Sequence, residues 1–248
     1  MPNQDTARTV RMEGVTLRRG STTVFSGLNL ELVESRIGLI GDNGAGKSSL
    51  FRLLCGLDTP SAGRISVHGT EVGPTDLRER PVGMMFQSPD EQIIFPTVEE
   101  ELALGLEVSG VPRRQAREQV REFLRDRGLG HWAERAIACL SQGQRQHVCW
   151  LALTIAAPVL LLLDEPFASL DLPGQILLAQ EIQQAPQQII VSTHVLNHVR
   201  HFERVVWLAE GQVRSDGPGQ EVCAAYEVDI ARRMDSHRLH PGATLALM

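Results

Sequence analysis

The 248-residue chain is 42% hydrophobic, enough for one substantial core, and its formal net charge of −6 argues against the concentrated basic footprint of a nucleic-acid binder. Its four cysteines, Cys55, Cys139, Cys149 and Cys223, are far apart with no C-x-x-C pair, which argues against a disulfide framework or zinc site and fits a reducing cytoplasm. The N-terminal MPNQDTARTVRMEG carries acids and no apolar core, so no signal peptide is expected, and the longest apolar run, LALTIAAPVLLLL, holds a proline and falls short of the roughly 18 residues of a spanning helix.

In chain order, Thr9–Leu17, Thr23–Leu32 and Gly63–His68 are alternating, turn-broken segments that suit an antiparallel subdomain. Arg36–Ile40 (RIGLI) reads as a buried parallel strand. It runs directly into GDNGAGKS, which fits the phosphate-loop pattern G-x-x-x-x-G-K-[ST] and opens a helix, KSSLFRLLCG. Glycines let backbone N–H groups turn toward a phosphate chain, and the helix N-terminus adds its dipole. Gly41, Asp42, Asn43, Gly44, Ala45, Gly46, Lys47, Ser48 and Ser49 are therefore candidate nucleotide-binding residues, with Lys47 reaching the β- and γ-phosphates and Ser48 ligating Mg²⁺.

After VGMMF the chain exits through Gln87 into Ser88-Pro89-Asp90-Glu91, which reads as a helix start. Ser88 would be the N-cap, Pro89 the first helical residue and Glu91 the closure of a capping box. Pro96 should break this helix after about two turns, and Thr97-Val98-Glu99-Glu100 starts another. PRRQAREQVREFLRDRG places Ala116, Val120, Phe123 and Leu124 on one face and arginines on the other, read as a solvated face. Ser141 caps a further helix that runs to Pro158, and Gly143 keeps its entry open.

Val159–Leu163 (VLLLL) is a second buried strand and delivers two acids to its end. Asp164 is placed to hold Mg²⁺ through water, and Glu165 to orient and deprotonate a water attacking the γ-phosphate. A third strand, Ile189–Ser192, leads to His194, placed to contact the γ-phosphate and that water. His194, His198 and His201 are spaced like metal ligands, but His194 should precede the helix carrying the other two, so they should not converge. VVWLAEGQVRSDG reads as a hairpin with a Glu-Gly turn.

LSQGQRQHV, Leu140–Val148, resembles the LSGGQ signature of ATP-binding cassette (ABC) ATPases, with Gln142 in place of the first glycine. Gln87, the SLD at Ser169–Asp171 and His194 fall in the family's order, so the resemblance covers essentially the whole chain. It implies an α/β fold: a P-loop NTPase core with an antiparallel β subdomain and an inserted α-helical subdomain. The expected division is a nucleotide-binding domain over 1–225, with the helical part at about 88–157, and a C-terminal tail over 226–248. The family also implies ATP and Mg²⁺ as cofactors, Gln87 as a further Mg²⁺ ligand, and head-to-tail pairing with a second ATPase subunit, a homodimer or a paralogue. Ser141 and Gly143 of one subunit would then complete the ATP site of the other, and Gln144 and Asp171 are further candidate nucleotide-binding residues. Where the family usually stacks an aromatic residue on adenine, this chain offers Arg19, whose guanidinium can also stack on a base.

QSPDEQIIFPTVEEELALG is similar to the energy-coupling factor (ECF) branch, in which a short helix after the glutamine meets the transmembrane T component. The resemblance implies arginines of that component docking near Asp90, Glu91 and Gln92, indirect linkage to a substrate-binding S component, and a peripheral location on the cytoplasmic face of the membrane. Overall the chain looks like the dedicated ATPase of biotin transporters. A cobalt or nickel importer, or a soluble ABC ATPase such as an iron–sulfur assembly factor, is the alternative.

Overall fold

The computed structural model describes residues 8–73 and 82–239, with side chains as far as 235. Residues 1–7, where no signal peptide was expected, and the end of the expected tail, 240–248, lie outside the described residues.

The chain opens with β1 (Val10–Arg19) and β2 (Thr22–Leu32), then β3 (Arg36–Ile40), α1 (Lys47–Leu54), β4 (Ala62–Val67) and β5 (Thr70–Glu71). β6 (Val82–Met85), α2 (Pro89–Gln92), α3 (Val98–Val108), α4 (Arg113–Asp126) and α5 (Gln142–Ala156) follow. The last third contains β7 (Leu160–Asp164), α6 (Leu172–Gln184), β8 (Gln188–Ser192), β9 (Arg204–Ala209), β10 (Gln212–Gly217) and α7 (Gly219–Leu239). β2-β1-β4-β5 form an antiparallel sheet, and β10-β9-β3-β8-β7-β6 a second sheet that is parallel except at its β10 edge. The antiparallel subdomain and the three buried strands therefore stand where the sequence puts them, to within two residues.

The near-continuous hydrophobicity of β3, β7 and β8 has a direct cause: the parallel sheet is covered on both faces. One face, with Ile37, Leu39, Leu160, Leu162 and Ile190, packs on α1 and the antiparallel sheet. The other, with Leu161, Leu163, Ile189 and Val191, packs on α5, α6 and α7. A third core unites α3, α4 and α5 through Leu102, Ala116, Val120, Leu124 and Val148. This is the helical part, and it rests on the main sheet through α5.

Two local expectations are revised. α2 is a single turn, and no side chain caps it at Ser88. The Gln92 side chain turns back to accept the Phe86 N–H at 3.0 Å, while Glu101 of α3 accepts the N–H groups of Ile94 and Phe95 at 2.9 and 2.8 Å. Those bonds end the helix before Pro96 can. Nor is the arginine face of α4 simply solvated: Arg121 pairs with Glu99 at 2.5 Å and Arg117 with Glu100 at 2.8 Å, stitching α4 to α3.

Candidate nucleotide site

β3 is fully buried and ends at Gly41, so the phosphate loop starts at the carboxyl edge of the parallel sheet. Two glycines fix the loop's path. At Gly41, φ 145°, a Cβ would strike the Leu208 carbonyl; at Gly46, φ 106°, it would meet the Phe25 ring at 2.8 Å. Asp42, Asn43 and Gly44 are exposed at the crown, while Ala45 is buried and Ser49 half-buried on α1. Lys47 Nζ donates to the carbonyls of Gly41 at 2.7 Å and Asp42 at 3.1 Å, lying along the loop. Burial pushes its pKa down, and the nearby Glu165, Asp164 and Asp42 pull it back up.

β7 sets the acids. Ser48 Oγ donates to Asp164 Oδ2 at 2.8 Å, so a hydroxyl and a carboxylate oxygen meet at the start of α1. Two hard oxygen donors of this kind fit Mg²⁺. Glu165 takes φ 49°, and its N–H donates to the Ser192 carbonyl at 2.9 Å. Its Oε2 lies 2.8 Å from His194 Nδ1, with Glu165 13% and His194 66% exposed. A sheltered acid in direct contact with a solvent-open histidine can take a proton from a water bound beside the pair. Met85 of β6 is in register with Leu163 of β7, so the exposed Gln87, two residues past β6, leaves the same sheet edge as Glu165, one residue past β7.

The other histidines have surroundings of their own. His198 stacks on Phe167 with centroids 4.0 Å apart, and His201 lies edge-on to Phe202 at 5.0 Å.

The remaining candidates form a second cluster. Ser141 and Gln144 close a capping box at the start of α5: Ser141 Oγ accepts the Gln144 N–H at 3.2 Å, and Gln144 Oε1 accepts the Ser141 N–H at 3.0 Å. Gln142 Nε2 donates to Ser169 Oγ at 3.2 Å, and Asp171 caps α6 by accepting the Gly174 N–H at 3.0 Å. Ser141, Gly143, Gln144 and Asp171 line a cavity of about 430 Å³ between α5 and α6, to which the phosphate loop does not contribute. Arg19 is bound to Asp58 at 2.6 Å, beside Arg52 of α1.

The segment after Gln87 exposes Asp90 and Ile94, 65% and 72% respectively. Asp90 pairs with Arg145 of α5 at 2.8 Å. Sequence reasoning missed this pair, the Glu101 contacts and two residues of α7, Tyr226 and Arg233, that bind Asp42. Capping signals are local, whereas these partners are brought together only by tertiary packing. α7 itself runs unbroken across residues 225 and 226.

Among the described residues no helix is long and apolar enough to cross a membrane. Residues 25–168 match the family profile described as ABC transporter. The chain is 43% identical over 213 residues to the biotin transport ATP-binding protein BioM of Rhodobacter capsulatus, covering 86% of this chain and 91% of that one. It is 33% identical over 205 residues to the energy-coupling factor transporter ATP-binding protein EcfA1 of Enterococcus faecalis, covering 80% and 74%. The fold superposes on cbiO1 of Clostridium perfringens, part of the ABC transporter complex cbiONQ, with a TM-score of 0.76, 28% identity and coverage of 94% and 96%. With its phosphate loop, paired acids and α5 signature on one ATPase fold, the chain belongs to the ABC transporter family as an ATP-hydrolysing subunit.

Proposed function

We propose that this chain is the ATPase of an ECF-type importer for biotin, acting at the cytoplasmic face of the membrane with a T component and an S component. The observation that carries this reading is the 43% identity to a biotin transport ATP-binding protein across most of both chains. The phosphate-loop N–H groups and Lys47 bind the ATP phosphates. Ser48, Asp164 and Gln87 are the Mg²⁺ ligands, directly or through water, and the ion supplies charge neutralisation at the phosphate oxygens when bound. Glu165 takes the proton of the attacking water, and His194 holds that water and the carboxylate in place. Ser141, Gly143, Gln144 and Asp171 serve the ATP site of a second subunit, and Arg19 lies against the adenine.

The T component docks near Asp90, Glu91 and Gln92, where exposed Ile94 adds an apolar contact. An arginine of the partner has to share or replace Arg145 at Asp90. Exposed ion pairs contribute little, so the exchange costs little.

The test is to tag the protein in its native host, solubilise the membranes gently and identify stoichiometric partners. The expected result is a small polytopic protein with an arginine-bearing coupling helix, joined by a hydrophobic biotin-binding S protein. Asp90→Arg should lower recovery of both while leaving ATP binding intact. Soluble partners alone would overturn the importer reading, and undiminished recovery with Asp90→Arg would remove Asp90 from the docking contact. An S protein that carries cobalt or nickel would overturn biotin.

A further inference from the structure

Asp42 is an acid inside a loop built to receive an anion. Its own carbonyl accepts Lys47 Nζ, so the residue is part of the cradle, and its carboxylate adds a negative charge beside the phosphate position. The side chain is turned toward α7. Tyr226 Oη donates to Asp42 Oδ1 at 2.6 Å, Arg233 Nη1 donates to Oδ2 at 2.6 Å, and Arg233 Nη2 reaches Oδ1 at 3.4 Å. Both donors are held in turn: the Tyr226 ring meets Trp207 of β9 edge-on at 5.2 Å, and Arg233 pairs with Asp229 at 2.9 Å. The Asp42 carboxyl is consequently kept below the ordinary carboxylate range, chiefly by its hydrogen bond to Arg233.

We propose that Tyr226 and Arg233 are positioning residues for nucleotide binding: both aim the Asp42 carboxylate at α7 and Arg233 neutralises it, so that the loop presents a cationic face to the phosphate chain. Without Arg233 the carboxylate would keep only the Tyr226 hydrogen bond, and its uncompensated charge would repel the incoming anion. As a structural pin the contact is weak, because the Asp42 and Arg233 side chains are 48% and 49% exposed and exposed pairs add little stability. Its effect belongs in ATP affinity.

The test compares wild type, Arg233→Ala, Asp42→Asn and the double variant in the full chain. It uses equilibrium binding of a fluorescent ATP analogue with Mg²⁺ and steady-state ATP hydrolysis, with melting temperature as the check on folding. Arg233→Ala should weaken nucleotide binding by about three- to tenfold at low ionic strength, the size of one unscreened charge at this range. It should change kcat by less than about twofold, as the loss is of binding shared by the ground state and the transition state. The defect should shrink as salt is raised, and Arg233→Lys should restore most of the affinity.

The deciding form is the double variant. If Arg233 acts by neutralising Asp42, then Asp42→Asn removes the charge and abolishes the defect of Arg233→Ala. A double variant as weak as Arg233→Ala, or wild-type affinity in Arg233→Ala, would overturn the proposal. Binding is measured without a membrane partner, so this outcome is independent of the importer reading.

Discussion

At Glu165 the backbone enters the left-handed region, φ 49°, one residue after β7 ends. A non-glycine residue held there carries about 1–3 kcal/mol of strain, sustained only when neighbours over-determine it. Here they do: its N–H is bound by the Ser192 carbonyl on the adjacent strand, and its carboxylate by His194. The turn carries the carboxylate to His194, one residue past Asp164, whose own carboxylate accepts the Ser48 hydroxyl. Glu165→Gln keeps size and hydrogen bonding but cannot accept a proton. Phosphate release should therefore fall by roughly 10²–10⁴, with ATP binding retained. Turnover at the wild-type rate in this variant would remove Glu165 from the role of base.

Between elements, single acids act as junctions. Asp58, in the loop after α1, receives Arg52 of α1 at 2.9 Å and Arg19 from the end of β1 at 2.6 Å. Its pKa is lowered, first by the hydrogen bond to Arg52 and then by Arg19, against an opposing effect of burial. A folded-state value below the unfolded one means that this stability is present above the ordinary carboxylate value and lost as pH falls. Chemical denaturation of wild type and Asp58→Asn from pH 7 downward should show wild type the more stable near neutrality. The gap should begin to close as pH drops through the ordinary value of 3.8 and vanish below the folded-state value. A pH-independent gap would mean that the charge of Asp58 is not what joins β1 to α1. Glu101 shows the same element-scale principle: one buried carboxylate takes two N–H groups and decides where α2 stops.

At the scale of the whole molecule, the candidate nucleotide residues fall into two separate clusters among the described residues. Lys47, Ser48, Asp164, Glu165 and His194 gather at one strand edge, whereas Ser141, Gly143, Gln144 and Asp171 surround a separate cavity. On the proposed function, a second subunit brings its own α5 start to the first phosphate loop. With hydrolysis blocked, Glu165→Gln should sediment as a dimer when Mg²⁺ and ATP are present and as a monomer without nucleotide. A monomer under both conditions would argue against a shared site.

By itself the sequence determined the strands of the parallel sheet, the phosphate loop, the paired acids and the α5 capping signal. These are read within a few residues, because burial on both faces, glycine-dependent backbone paths and helix caps are local constraints. What only the tertiary structure decided is which distant charges meet. The α3–α4 arginine seam, the Asp90–Arg145 pair and the reach of Tyr226 and Arg233 to Asp42 join residues far apart in the chain. No local periodicity encodes such encounters. An exposed arginine looks the same in sequence whether it faces water or a carboxylate, and only the packing of α4, α5 and α7 on their neighbours distinguishes the two.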